Sequence, residues 1–132
     1  MRRRVLFVTL GPMAVRCLIV DDNRAFLEAA RTLLEREGMT IAGVASTSAD
    51  ALSRAETLRP DVVLVDVSLG DESGFELAQR LVADGARGTS VILISTRSED
   101  DLADAIAESP AAGFLAKSEL SADAIRGLLD RS

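Results

Sequence analysis

The stretch VVLVD, Val62 to Asp66, decides the fold, because it is a short apolar run that ends on an acid. Four other short apolar runs lie at residues 15 to 20, 39 to 45, 91 to 94 and 113 to 116. Most of the runs are continuous rather than alternating in hydrophobicity, which is typical of parallel strands with helices on both faces. The five runs therefore predict a five-stranded parallel sheet.

Amphipathic segments separate the apolar runs. Apolar residues recur at helical spacing over residues 24 to 37, 48 to 58, 74 to 83 and 98 to 108, and from residue 119 or 121 to residue 130. We expect Gly38 to end the first helix and Ser98 to cap the fourth. The strict alternation predicts an α/β fold, a flavodoxin-like (βα)5 doubly wound sheet of order 2-1-3-4-5.

Length and composition indicate one compact domain. The chain has 132 residues, of which 48% are hydrophobic, and a net charge of −6 that argues against direct contact with nucleic acid. Its single cysteine, Cys17, cannot form an internal disulfide, which fits a cytoplasmic location. The apolar run at residues 5 to 10 is too short for a secretory signal or a membrane span. We expect a disordered or loosely packed N-terminal extension over residues 1 to 13, with an added edge strand as the alternative, and a folded domain over residues 14 to 132.

Reactive side chains follow several of the predicted strands. Asp21 and Asp22 come after the first strand, Asp66 closes the third, Ser95 follows the fourth and Lys117 follows the fifth. In a doubly wound sheet, these strand ends share the edge where ligands bind. Carboxylates that crowd together repel one another unless a divalent cation lies between them, and oxygen-only ligands favour Mg²⁺. The chain has no histidine and one cysteine, so a zinc site is not expected.

This set of groups is suited to phosphoryl transfer, which needs a nucleophile and neutralisation of the equatorial oxygens. Asp66 would be the nucleophile, the metal and Lys117 would each contact one oxygen, and Ser95 would donate to a third. Taken singly, each group has an ordinary explanation: Asp21-Asp22-Asn23 as a helix cap, or Lys117 as a solvated side chain. Both explanations can hold together for the acid pair.

Four segments resemble the receiver domain of two-component response regulators over residues 14 to 132. They are LIVDDN (18–23), VVLVDVSLGDESGFEL (62–77), VILIST (91–96) and AAGFLAKSEL (111–120). The resemblance implies that a sensor histidine kinase phosphorylates Asp66. It also implies Mg²⁺ held by Asp22, Asp66 and the backbone carbonyl of Ser68, with Asp21 acting mostly through water. Such a domain is a signalling receiver that promotes its own phosphorylation and dephosphorylation, rather than an enzyme.

The resemblance further implies a conformational switch. Phe114 takes the place of the family's switch aromatic, which turns inward when Ser95 moves toward the phosphoryl group. The surface of the fourth helix, fifth strand and fifth helix would then control an output domain or a downstream protein, with transcription among the outputs. Dimerisation on phosphorylation is common in the family. No membrane partner is expected.

The chain departs from the family pattern at several positions. Thr96 stands where alanine or glycine is usual, Gly70 where proline is frequent, and Ser118 where proline follows the lysine. We expect Thr96, Ser68 and Arg97 to tune the lifetime of the phosphorylated state. The alternatives are a receiver-like interaction module that is not phosphorylated and an aspartyl-nucleophile phosphatase of the haloacid dehalogenase type. Whether the receiver stands alone or belongs to a longer regulator stays open.

Overall fold

A computed structural model describes residues 15 to 84 and 88 to 131, so the predicted extension over residues 1 to 13 lies outside the described residues. The strands of the main sheet are β1 (Arg16–Val20), β2 (Thr40–Ala45), β3 (Val62–Asp66), β4 (Ser90–Ser95) and β5 (Gly113–Ala116). The helices are α1 (Arg24–Arg36), α2 (Ser48–Leu58), α3 (Gly74–Ala83), α4 (Ala103–Glu108) and α5 (Ala122–Arg131). All strand pairs in the main sheet are parallel, in the order β2-β1-β3-β4-β5. The predicted doubly wound fold is confirmed.

The apolar runs are continuous because both faces of the sheet are buried. Successive side chains on a strand point to opposite faces, and two separate cores result. In β3, Val63 and Val65 pack in the core covered by α2, α3 and α4, whereas Val62 and Leu64 pack in the core covered by α1 and α5. The five β3 residues are all buried, and β3 lies at the centre of the sheet.

Local capping sets the ends of α1. The Asn23 side chain accepts a hydrogen bond from the Phe26 N–H at 3.1 Å, as expected for an N-cap. At the other end, Gly38 adopts a φ of +94°, a left-handed conformation that favours glycine, and the chain turns toward β2. The glycine stop was predicted from the sequence, and a helix cap was one of the two interpretations of the Asp21-Asp22-Asn23 cluster.

The fourth helix differs from its prediction. A continuous helix was expected over residues 98 to 108, but a 3₁₀ turn occupies Asp100–Leu102 and α4 begins only at Ala103. Ser98 does accept a hydrogen bond, from the Asp101 N–H at 3.2 Å. The segment buries no residue fully, so little packing energy favours a regular helix over the 3₁₀ turn.

The fifth helix begins later than the earlier of its two predicted starts. Lys117–Glu119 forms a 3₁₀ turn and Leu120 is extended, so Glu119 lies outside α5. The Ser121 hydroxyl accepts a hydrogen bond from the Ala124 N–H at 2.9 Å. Glu37, at the end of α1, accepts a second one from the Ala122 N–H at 2.7 Å. Two side chains therefore satisfy the free N–H groups at this helix end.

A short hairpin that the sequence pattern did not predict follows β3. Ser68–Leu69 pairs with Glu72–Ser73 in antiparallel register. Gly70 has a φ of +61° at the first central position of the two-residue turn, where tight hairpins favour glycine. Glu72 then accepts a hydrogen bond from the Ser48 N–H at 2.8 Å, which joins the hairpin to the start of α2.

Other differences from the predicted bounds are one residue at a strand or helix end, which is the usual uncertainty of such boundaries. Among the helices of the described residues, none has the length and apolar character that a membrane crossing requires.

Candidate functional site

Three carboxylates meet at the carboxyl edge of the sheet. Asp21 follows β1, Asp22 follows Asp21, and Asp66 is the last residue of β3, which pairs with β1. One carboxylate oxygen from each of the three lies within 4.8 Å of the other two. Asp21 is fully buried and Asp66 nearly so, whereas Asp22 is exposed. Neighbouring parallel strands bring Asp66 close to Asp21 and Asp22, although it lies more than forty residues after them along the chain.

Lys117 bridges two of these acids. Its Nζ atom lies 2.6 Å from Asp21 Oδ2 and 3.0 Å from Asp66 Oδ2. The lysine side chain is 14% exposed, so the pairs are shielded from solvent far better than surface ion pairs are. Lys117 directly follows β5, at the same edge of the sheet as the acids. The site therefore joins residues from three strand ends.

Burial raises the pKa of Asp66 above its ordinary value, because it removes water from the charged carboxylate. Hydrogen bonds from the Ser68 N–H and from Lys117 oppose this effect, and the neighbouring charge of Asp21 adds to it. The Ser68 N–H lies 3.1 Å from Asp66 Oδ1, while Lys117 contacts Oδ2. Both oxygens of Asp66 are therefore held in a fixed orientation.

Burial alone would lower the pKa of Lys117, but its contacts with Asp21 and Asp66 outweigh that effect and raise it. The ammonium group is thus charged at neutral pH. A fixed positive charge beside Asp66 is suited to stabilising negative oxygens that arrive there.

The acid cluster has the features of a divalent cation site. The buried Asp21 Oδ2 has the Lys117 ammonium as a close neighbour at 2.6 Å, and Asp66 shares that ammonium. Three carboxylates within 4.8 Å carry more negative charge than one ammonium neutralises, and buried charge is costly unless a further positive charge compensates it. The three donor groups are all carboxylates, the ligands that Mg²⁺ prefers. The residues present therefore fit Mg²⁺.

Ser95 lies at the same edge but on the other face of the sheet, and Phe114 lies behind that edge in the core. Ser95 ends β4 and is 3% exposed, and its Oγ accepts a hydrogen bond from the Arg97 N–H at 2.9 Å. Phe114 pairs in register with Leu93, two residues before Ser95, and both belong to the core under α2, α3 and α4. Phe114 is 8% exposed, so its ring is buried. Thr96 and Arg97 are exposed just beyond β4.

The hairpin after β3 lies next to the exposed acid of the cluster. A Cβ atom on Gly70 would lie 3.4 Å from Asp22 Oδ2, so this turn approaches the site closely. Ser68, predicted to offer its carbonyl to the metal, lies in the hairpin two residues after Asp66 and is exposed. The sequence-predicted residues are thus placed around one edge, with Phe114 behind it in the core.

Sequence reasoning missed two contributors. Phe26 was assigned only to the apolar face of α1, but the centroid of its ring lies 4.3 Å from Lys117 Nζ. Gly74 was taken only as the start of a helix, but a Cβ atom there would lie 1.9 Å from the carbonyl oxygen of Asp66. Helical spacing marks Phe26 as partly buried, and no local pattern indicates which distant residue it contacts.

The fold is that of a receiver domain. Residues 17 to 129 match the family described as the response regulator receiver domain, and the chain belongs to that family. Its members are generally signalling domains rather than enzymes. The family typically binds Mg²⁺, in agreement with the acid cluster.

Curated relatives include response regulators of Escherichia coli. The chain is 32% identical to the response regulator UvrY over 104 residues, which cover 78% of this chain and 47% of UvrY. It is 28% identical to the DNA-binding transcriptional activator EvgA over 105 residues, which cover 80% of this chain and 51% of EvgA. The chain therefore spans about half the length of these relatives.

Among solved structures, the signal receiver domain of a modulated diguanylate cyclase from Desulfovibrio desulfuricans superimposes with a TM-score of 0.73. The two sequences are 31% identical, and the match covers 89% of this chain and 92% of that one. The predicted receiver resemblance is thereby confirmed at the level of family and fold.

Proposed function

We propose that this receiver accepts a phosphoryl group on a carboxylate oxygen of Asp66 from the phosphohistidine of a sensor histidine kinase. The observation that carries the proposal is the cluster of three carboxylates within 4.8 Å, two of which share the Lys117 ammonium. The proposal assigns the receiver to residues 14 to 132 and to the cytoplasm, where it would meet its kinase.

In the transfer step, a bond forms between phosphorus and an Asp66 oxygen while the phosphorus–nitrogen bond of the donor breaks. The electron pair of the broken bond returns to the imidazole of the donor. The Lys117 ammonium contacts one phosphoryl oxygen, and the Ser95 hydroxyl donates to another. In dephosphorylation, water attacks phosphorus, the bond between phosphorus and the Asp66 oxygen breaks, and inorganic phosphate leaves.

Asp22, Asp66 and the backbone carbonyl of Ser68 would hold Mg²⁺, with Asp21 acting mostly through water. Bound Mg²⁺ supplies positive charge that offsets repulsion between the carboxylates and the incoming phosphoryl oxygens. The bridging position of Lys117 supports this assignment, because one ammonium cannot neutralise three carboxylates.

Incubation with acetyl phosphate or phosphoramidate, followed by intact-mass spectrometry, tests this function. We expect wild type to gain the mass of one phosphoryl group with Mg²⁺ and to gain none when the metal is chelated. Asp66→Asn should gain none, and Asp130→Asn, a change in an exposed acid of α5, should behave as wild type. If wild type gains no phosphoryl mass with these donors or with a cognate kinase, the chain is an interaction module that is not phosphorylated.

Phosphorylation would then change the surface of α4, β5 and α5 through Ser95 and Phe114, and that surface would control an output domain or a downstream protein. Transcription is the output that the relatives support, since EvgA is a DNA-binding activator. Dimerisation on phosphorylation is part of the same proposal.

Thr96, Ser68 and Arg97 would tune the lifetime of the phosphorylated state, since all three are exposed, Ser68 donates its N–H to Asp66, and Thr96 and Arg97 follow the strand that pairs with β3. The side chain of Thr96 would hinder attacking water and small donors. Thr96→Ala should therefore speed both phosphorylation and dephosphorylation, and unchanged rates would contradict this role.

A further inference from the structure

We infer that Phe26 is a positioning residue for phosphoryl transfer, because its ring holds the Lys117 ammonium against the acid cluster. This inference rests on the proposed function of Asp66 and Lys117. The ring centroid lies 4.3 Å from Lys117 Nζ, within the range of a cation–π contact. The ammonium thus has two carboxylate neighbours on one side and an aromatic face on another.

A series of contacts that starts and ends at Asp21 fixes the position of the Phe26 ring. The Asn23 N–H donates to Asp21 Oδ1 at 2.9 Å, and Asn23 in turn accepts from the Phe26 N–H at 3.1 Å. The Phe26 ring contacts Lys117, which pairs with Asp21 Oδ2. The start of α1 is therefore fixed to the same carboxylate that the lysine binds, so the ring and the ammonium share one anchor.

The core beneath α1 holds the ring from below. Phe26 is partly buried and packs against the core on the face of the sheet that α1 and α5 cover. Asp66 and Leu64 are two residues apart in β3 and project to the face of the sheet that this core covers. The ring consequently restricts the directions in which a long, flexible lysine side chain can turn away from the carboxylates.

Positioning of this kind should affect the phosphorylation rate more than it affects the binding of Mg²⁺. A lysine that samples other rotamers spends less time where it can contact a phosphoryl oxygen, so transition-state stabilisation falls. The ring contacts the Lys117 ammonium, whereas Mg²⁺ would bind the Asp22 and Asp66 oxygens, so the affinity for the metal should be preserved.

The kinetic test uses phosphoramidate, Mg²⁺ and intact-mass spectrometry on wild type, Phe26→Leu and Phe26→Tyr. We expect Phe26→Leu to lower the maximal phosphorylation rate by about three- to tenfold. The Mg²⁺ concentration for half-maximal rate should stay within about twofold of wild type. Phe26→Tyr keeps an aromatic face and should restore a near-normal rate. Phe75→Leu, a change of another partly buried phenylalanine in the first turn of a helix, is the control and should leave the rate unchanged.

A double-mutant cycle tests the contact without relying on phosphorylation. Urea unfolding is measured for wild type, Phe26→Leu, Lys117→Met and the double variant. Phe26→Leu should raise the unfolding equilibrium constant about three- to tenfold more when Lys117 is present than when it is methionine. Equal effects in the two backgrounds would overturn the inference.

The two tests separate the inference from the function on which it rests. If wild type is not phosphorylated but the cycle shows coupling, the proposed function fails and the contact between Phe26 and Lys117 stands. If wild type is phosphorylated and Phe26→Leu reacts at the wild-type rate, or Phe26→Tyr is as slow as Phe26→Leu, the positioning role is wrong.

Discussion

Replacement of Gly74 by alanine should destabilise the protein although alanine is the better helix former. Gly74 is the first residue of α3, and its N–H donates to the Val67 carbonyl at 2.9 Å. A Cβ atom at Gly74 would lie 1.9 Å from the Asp66 carbonyl oxygen and 2.7 Å from Val67 Cα. Because real Cβ contacts are essentially never below 3.0 Å, α3 and the end of β3 would have to separate by at least 1.1 Å, the difference between 3.0 Å and 1.9 Å.

The size of the effect follows from two opposing terms. Overpacking usually costs about 1 to 3 kcal/mol, and the upper end applies here because both groups that must move are backbone. Alanine recovers at most about 1 kcal/mol of helix propensity. We therefore expect Gly74→Ala to lower the free energy of unfolding by about 2 kcal/mol. The displaced Asp66 backbone should also slow phosphorylation.

Gly127 provides the matched control. It lies within α5, and a Cβ atom there would have no atom of the described residues within 4 Å, apart from its own helix backbone and chain neighbours. Gly127→Ala should therefore raise the free energy of unfolding by about 0.5 to 1 kcal/mol. Urea unfolding followed by circular dichroism measures both variants, since the chain has no tryptophan or tyrosine. A Gly74→Ala variant as stable as wild type would refute the packing argument.

Three further changes test separate parts of the structure. Burial raises the pKa of the Cys17 thiol from 9.0 to about 12. The thiol therefore ionises at a lower pH in the unfolded chain than in the folded protein. The stability that the buried thiol contributes is present below pH 9 and is lost as pH rises toward 12. The unfolding free energy of wild type should fall relative to Cys17→Ala by about 1.4 kcal/mol per pH unit in that window, and parallel curves would contradict it. Glu37→Ala removes the acceptor for the Ala122 N–H and should cost about 0.5 to 1 kcal/mol, whereas Glu37→Gln should cost less; equal unfolding midpoints would disprove the cap. Gly70→Pro introduces the residue frequent in the family at a φ of +61° that proline cannot adopt, and a loss of under about 1 kcal/mol in urea unfolding would count against the hairpin.

The sheet and most helix bounds could be predicted from the sequence because strand and helix periodicities are local signals. The strand order places Asp21, Asp66 and Lys117 at one edge, and residue chemistry then indicates their role. The hairpin at residues 68 to 73 was missed, because its strands of two residues are too short to show a pattern. The break before α4 was missed because its apolar face is thin and packing decides between helix types there.

Contacts between residues of different helices and strands could not be predicted from sequence patterns. Phe26 has the spacing of a core residue, and its contact with Lys117 joins the start of α1 to the residue that follows β5. From the sequence, Gly74 is interpreted only as a helix start at which glycine is tolerated. The requirement for glycine comes from the close approach of the Asp66 carbonyl oxygen. Both positions are determined by distances between elements, which a single sequence does not encode locally.

Localisation of the phosphoryl group tests the central proposal most directly. Wild-type protein phosphorylated with phosphoramidate and Mg²⁺ is treated with borohydride, which reduces an acyl phosphate to an alcohol, and the digested peptides are then sequenced by mass spectrometry. We expect residue 66 alone to be converted from aspartate to homoserine. Conversion at Asp21 or Asp22 with Asp66 intact, or at no acid, would contradict the assignment of Asp66 as the phosphoryl acceptor.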